Sequence, residues 1–285
     1  MKVTVATVMP QSIRGKAEYA NLETALKSIK LAAEKGAKII SLPEGFPGPY
    51  NGPFNWDPAP EITAAAREYG VYVVFGTLTR LGKGSNHYYL TLKVAGPSGE
   101  IVQDYHRMQP NQPEVDDILM DGKKIVRGEE FALFDTEYGK IGLLICSEIW
   151  CPELSRILAL KGADIIFAPI GGLVYELREA WRCLLWARAI ENHVYIATSQ
   201  HLYGMEDGIG LIAGPEKILA ERKDAGLVIA ELDLARLKWL RENDQTLELP
   251  KQYKSIPGML KYRRPEKYGT ITEPDGRVYQ FPTHD

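Results

Sequence analysis

Lys140-Ile-Gly-Leu-Leu-Ile-Cys-Ser-Glu-Ile-Trp-Cys-Pro-Glu153 is the stretch on which the reading of the chain turns. Its apolar run, Ile141 to Ile145, has the length and composition of a buried strand. The run ends at Cys146, and Pro152 has no N–H to continue a ladder. Ser155 to Lys161 then reads as a helix, closed by Gly162. Cys146 therefore falls where a strand hands over to a helix, the carboxyl edge at which open α/β sheets bind ligands. A thiol there is held rigidly from behind, and a nearby helix N-terminus favours the nucleophilic thiolate. The plainer alternative is a small buried apolar residue, which is what most cysteines are.

Working outward toward the N-terminus, Phe131 to Thr136 reads as a short strand. His106 to Glu130 shows little periodicity and reads as an ordered loop. Ser85 to Ala95 reads as a strand that pairs with Val71 to Thr79 or, across the turn Pro97-Ser-Gly-Glu100, with Ile101 to Tyr105. Val71 to Thr79 is a strand, preceded by a helix from Ile62 to Tyr69 that Gly70 stops. A long loop of Gly, Pro, Asn and aromatics, Phe46 to Pro60, comes before it. Lys38 to Leu42 is a strand that ends in Pro43-Glu44-Gly45. Asn21 to Lys35 carries one apolar helical stripe, and Lys2 to Val8 alternates as a strand does.

Toward the C-terminus the pattern recurs. Asp164 to Pro169 is a strand, Glu176 to Glu191 a long amphipathic helix and Val194 to Ser199 a strand. Gly208 to Ala213 and Ile218 to Ala220 flank the turn Gly214-Pro-Glu-Lys217; Gly226 to Leu232 is a strand and Leu234 to Asn243 a helix. From Leu249 the chain is rich in Pro, Lys and Tyr with weak periodicity, as in a tail lying on a neighbouring surface. Strands followed by helices argue for α/β layers, and the interleaved hairpins for mixed sheets. No composition break marks a linker, so the reading is one domain, residues 1–248, with an extension, 249–285, packing on the domain surface or a neighbouring subunit.

Composition narrows the function. The 285 residues are 45% hydrophobic and 25% charged, which suits a large core. A net charge of -3 argues against nucleic acid or an anionic membrane as partner. Three cysteines do not make a disulfide framework, so a cytoplasmic setting is expected. No apolar run is long enough to span a bilayer, no signal peptide is read at the start, and no metal-ligand spacing appears.

Two strand ends carry chemistry: Glu44 after Leu42-Pro43, and Cys146 after Ile145. A carboxylate that meets a thiol can serve as its general base, and partial burial raises its pKa toward a useful value. Taken alone, Glu44 reads as a solvated loop residue rather than a catalytic one.

Leu42-Pro-Glu-Gly-Phe46, Gly139-Lys-Ile-Gly-Leu-Leu-Ile-Cys-Ser-Glu148 and Pro152-Glu153 resemble the nitrilase superfamily of carbon–nitrogen hydrolases. Lys161 to Ile166, Trp186 to Asn192 and Gly214 to Ala220 extend the resemblance over about residues 1 to 245. It implies a four-layer αββα sandwich, pairing into a homodimer or higher homo-oligomer, and a Glu–Lys–Cys triad with no cofactor. The family typically has Tyr-Arg-Lys; this chain has Tyr105-His-Arg107, so arginine stands where the lysine is expected. An arginine there supplies charge in planar form, pairs with Glu44 or Glu114, or grips a substrate carboxylate bidentately. Glu114 lies near the second glutamate of amidase-type members, and Glu148 is expected to orient the backbone near Cys146.

The resemblance thus implies catalytic residues Glu44, Arg107, Cys146 and Glu114. Trp150, Tyr175 and Phe54 are candidates to line the substrate pocket, since pockets favour aromatics. Cys151 reads as structural, His201 as a lone histidine, and Arg188 with Glu191 as a dimer seam or local salt bridge. The expected reaction is hydrolysis of a small amide or N-carbamoyl compound through a cysteine thioester. The rival expectations are a nitrilase, and a catalytically weak relative that binds a ligand or partner.

Overall fold

The computed structural model describes residues 1–172, 177–204, 207–242, 260 and 263–273. Two mixed sheets lie face to face. The first is ordered β13 (Gly226–Asp233), β1 (Lys2–Met9), β2 (Ile39–Ser41), β3 (Tyr72–Arg80), β4 (His87–Ala95) and β5 (Ile101–His106). β6 (Lys124–Val126) pairs parallel with the start of β4. The second runs β12 (Ile218–Arg222), β11 (Gly210–Ala213), β10 (Tyr195–Thr198), β9 (Ile165–Phe167), β8 (Gly139–Leu143) and β7 (Leu133–Thr136). Each has a parallel trio at its heart, β1-β2-β3 and β8-β9-β10, extended by antiparallel strands.

Packing makes four layers. One apolar cluster fills the space between the sheets, joining Val5, Ile39 and Val74 to Ile141, Leu143 and Ile165. A second seals the outer face of the first sheet beneath α1 (Asn21–Glu34) and α2 (Ala59–Tyr69), through Ala25, Ile29, Ile62 and Ala66. A third seals the second sheet beneath α4 (Pro152–Leu160) and α5 (Arg178–Asn192), through Leu154, Leu158, Trp181 and Leu185. The architecture is the expected αββα sandwich. The central strands read as unbroken apolar runs because both of their faces are covered.

Three local differences from the sequence reading have plain causes. The region His106 to Glu130 is not simply a loop: it holds α3 (Pro113–Leu119) and the three-residue β6. Segments so short carry too few residues for a period to show. Cys146–Trp150 forms a 3₁₀ turn before α4, and α4 begins at Pro152, not at Ser155. Proline is favoured in the first helical turn, where its missing N–H costs nothing. The described part of the C-terminal extension includes α7 (Gly269–Thr272). Arg263, Tyr268 and Ile271 of that segment share a cleft with Arg156, Ile157 and Leu160 of α4. α6 (Leu234–Glu242) closes the described domain.

Candidate active site

The carboxyl ends of β2, β5 and β8 converge, and each delivers one of the expected residues. Glu44 follows β2 by three residues, Arg107 follows β5 directly, and Cys146 follows β8 by three. Glu44 and Arg107 are 2% and 1% exposed, so their charges face each other out of water. Arg107 Nη1 donates to Glu44 Oε1 at 3.1 Å. The Gly171 N–H donates to Glu44 Oε2 at 2.6 Å, and the Cys146 thiol hydrogen-bonds to the same carboxylate. A Cβ at position 171 would lie 2.6 Å from that carboxylate oxygen, so only glycine lets the backbone come this close.

Cys146 is held in an unusual backbone conformation. Its φ is +52°, a region sparsely populated by residues other than glycine. Its N–H donates to the Pro169 carbonyl at 2.8 Å, across to the end of the neighbouring parallel strand. Such strain persists only where the surroundings enforce it, and it gathers at working sites. Here the turn lifts the sulfur off the strand end into a cavity.

Electrostatics divide the two acids. Burial pushes the Glu44 carboxyl up, while Arg107, the Cys146 thiol and the Gly171 N–H pull it back. Burial and the facing Glu44 push the Cys146 thiol up to about 12, against the pull of Arg107. The resting thiol is therefore neutral and hydrogen-bonded to the Glu44 carboxyl group, which Arg107 draws toward its ionised form against the effect of burial. Burial works against the charge on Arg107, but Glu44 and its neighbours outweigh it and hold the guanidinium firmly protonated.

Arg107 is not open to a ligand. Nε donates to the Gln109 carbonyl at 3.0 Å, and Nη2 to Ser147 Oγ at 2.6 Å and Asn111 Oδ1 at 3.4 Å. It does not line the cavity, so the bidentate grip on a substrate carboxylate that the sequence allowed is not built here. Ser147, which the sequence reading passed over, stands between the guanidinium and the cavity it helps to line.

Glu148 fixes the loop that carries Arg107. It is fully buried and accepts from the Tyr105 hydroxyl and the Ile145 N–H, both at 2.7 Å. It also accepts from the N–H groups of Met108 and Gln109, at 2.8 and 2.9 Å. These bonds tie the Arg107 loop to the end of the cysteine strand. Cys151 Sγ donates to Gln109 Oε1 at 2.7 Å and braces the same loop. Arg188 on α5 donates to the carbonyls of Ile149 and Trp150 and pairs with Glu191, so both serve the turn after Cys146.

Glu44, Cys146, Ser147 and Trp150 line one cavity of about 990 Å³, together with Tyr50, Asn111, Asp121, Tyr203 and Arg14. Phe54 does not line it: the ring packs edge-on against Tyr88 beneath the Arg80 guanidinium. Tyr175 and the Glu114 side chain lie outside the described residues. His201 sits behind the wall, hydrogen-bonded to the main-chain carbonyl of Glu44 and to Ser12 Oγ, and burial lowers its pKa to about 4. It is a neutral brace. Among the described residues no group of His, Cys, Asp or Glu is arranged to hold a metal ion. No described helix is long and apolar enough to cross a membrane.

Known proteins share this frame. Omega-amidase NIT2-A of Xenopus laevis is 30% identical over 239 residues, 78% of this chain and 86% of its own. A deaminated glutathione amidase of Synechocystis sp. is 30% identical over 248 residues, 80% of this chain and 91% of its own. Among solved structures, an amidase from Nesterenkonia sp. superposes with a TM-score of 0.72 at 22% identity, covering 94% of this chain and 96% of its own. That amidase has also been solved as a cysteine variant in complex with butyramide, with a TM-score of 0.71 at 23% identity over 83% of this chain and 93% of its own. The family model for carbon–nitrogen hydrolases matches residues 4–242, which with these relatives establishes that the chain belongs to the carbon–nitrogen hydrolase family.

Proposed function

We propose that the chain hydrolyses the carbon–nitrogen bond of small amides through a thioester on Cys146. The observation that carries this is the thiol of Cys146, raised into the cavity and bonded to the buried carboxylate of Glu44. As the sulfur attacks the amide carbon, Glu44 takes the thiol proton, and the carbonyl oxygen gains the negative charge. The C–N bond then breaks, and ammonia leaves with the proton that Glu44 returns. Water attacks the thioester with Glu44 again as base, the acid departs, and the sulfur recovers its proton. Amide and water become carboxylic acid and ammonia.

Arg107 contributes through Ser147. The Ser147 oxygen accepts from the guanidinium and lines the cavity with Cys146, so its own proton is left to donate. A hydroxyl polarised in this way is a donor for the developing oxyanion. Amides rank ahead of nitriles and N-carbamoyl compounds because the relatives above are named as amidases.

The test is intact-protein mass after mixing with a slowly turned-over amide. The expected product is protein heavier by the acyl group, ammonia having been lost, with the label on the Cys146 peptide. Cys151 and Cys183 serve as internal controls. An adduct confined to either of those, or no adduct and no ammonia across a broad amide panel, overturns the proposal.

The rate should also follow the ionisation of Glu44. A base works as the carboxylate, and burial raises its folded pKa above the ordinary 4.5. Activity is therefore expected at higher pH and should be lost as pH falls through a midpoint above 4.5. With the thiol held near 12, no alkaline limb from Cys146 belongs near neutrality. A kcat/KM profile against pH checks both limbs.

A further inference from the structure

Glu18 does not line the cavity, yet it holds two of the residues that do. It sits on the 3₁₀ turn Gly15–Ala20 and is 2% exposed. Oε2 accepts from the N–H groups of Tyr50 and Gly52 at 2.9 and 2.8 Å, and Oε1 from that of Asn51 at 2.9 Å. Three neighbouring amides thus point at one carboxylate, an anion-holding concavity that the chain fills with its own side chain. Among the described residues, 48–58 form no strand or helix, so these N–H groups have no ladder to satisfy them and Glu18 does so instead. A Cβ on Gly52 would lie 2.8 Å from Glu18 Oε2, so this approach needs glycine.

The held segment faces the reaction centre. Tyr50 and Asn51 line the cavity with Glu44 and Cys146. The Tyr50 ring lies so close over Gly45, next to Glu44, that a side chain at 45 would overlap it. A Cβ on Gly171 would lie 3.0 Å from the Tyr50 hydroxyl. Asn51 Nδ2 donates to the Leu119 carbonyl at 2.8 Å, and Asn51 Oδ1 accepts from the Tyr203 hydroxyl at 3.4 Å. Leu119 ends α3 and lines the cavity, as Tyr203 does. Asn51 therefore joins two walls from a backbone that Glu18 fixes. Glu44 is held separately, by Arg107 and the Gly171 N–H.

Resting on the amide-hydrolase reading, we propose that Glu18 is a positioning residue for that reaction: it sets the place of Tyr50 and Asn51, and through them the shape of the substrate cavity. Cys146 and Glu44 keep their own supports. Loss of Glu18 therefore weakens substrate binding more than it slows the chemistry.

The experiment compares Glu18→Ala and Glu18→Gln with wild type in steady-state kinetics on one neutral amide, at a temperature where circular dichroism shows each to be folded. In Glu18→Ala, kcat/KM is expected to fall by roughly 10- to 10²-fold, the scale for a group misplaced by a change away from the chemistry. A rise in KM should carry most of that loss. Glu18→Gln keeps one acceptor oxygen and is expected to lie between, and it carries the test if Glu18→Ala does not fold. Ile29→Ala, in the core beneath α1, is the control for lost stability alone, and its KM should stay that of wild type. Wild-type kcat and KM in Glu18→Gln, a loss confined to kcat, or an equal rise of KM in Ile29→Ala overturns this inference alone. No turnover by the wild type across a broad amide panel overturns the hydrolase reading and this inference with it.

Discussion

Glu44→Gln is expected to lower amide turnover by roughly 10²- to 10⁴-fold, the range for loss of a positioned general base. Glutamine keeps an oxygen for the Gly171 N–H, so the loop is not abandoned. It cannot take the thiol proton, and with the thiol held near 12 little thiolate forms unaided. It also leaves Arg107, 1% exposed, without its counter-charge. Attack and deacylation both need the base, so kcat should fall more steeply than KM changes. Steady-state kinetics on one good amide, with circular dichroism to confirm the fold, measures this. A Glu44→Gln enzyme within tenfold of wild type would remove the carboxylate from the mechanism.

The largest effect on stability belongs to Glu148→Ala. Four donors lose their acceptor together: the buried Tyr105 hydroxyl and Ile145 N–H, and the part-buried N–H groups of Met108 and Gln109. Each orphaned donor costs about 1–3 kcal/mol, so a total of roughly 4 kcal/mol or more is expected. For a domain of this size that lowers Tm by about 10 °C or more, readable by calorimetry or thermal shift. Glu148→Gln should fall between, because its amide NH₂ meets the Ile145 N–H where the carboxylate accepted. A Glu148→Ala protein as stable as wild type would mean that the hub carries no net weight.

The strands were legible because their chemistry is repetitive. Residues Lys2–Met9, Tyr72–Arg80 and Gly226–Asp233 carry enough β-branched and apolar residues for a period to show. The meeting of Glu44, Arg107 and Cys146 came from a resemblance, since nothing in spacing alone joins residues so far apart in sequence. What stayed hidden depends on three-dimensional neighbours. Ser147 has no signal beyond its place after the cysteine. Tyr50, Tyr203 and Arg14 become one wall only when two loops and the N-terminal turn fold together. Phe54 looked like a pocket aromatic by composition, but a nearby tyrosine and arginine claim its ring. Glu148 was expected to orient backbone near Cys146; its reach across to Met108 and Gln109 needs the register of both sheets.

The two sheets divide the reaction centre between them. The base and the arginine hang from strand ends of one, and the thiol with its glycine partner from the other. A cut anywhere between residues 111 and 132 would leave each fragment with half of the reacting atoms. The chemistry is thus a property of the seam, and a change that slides one leaf of the sandwich against the other silences it without touching a single reacting side chain.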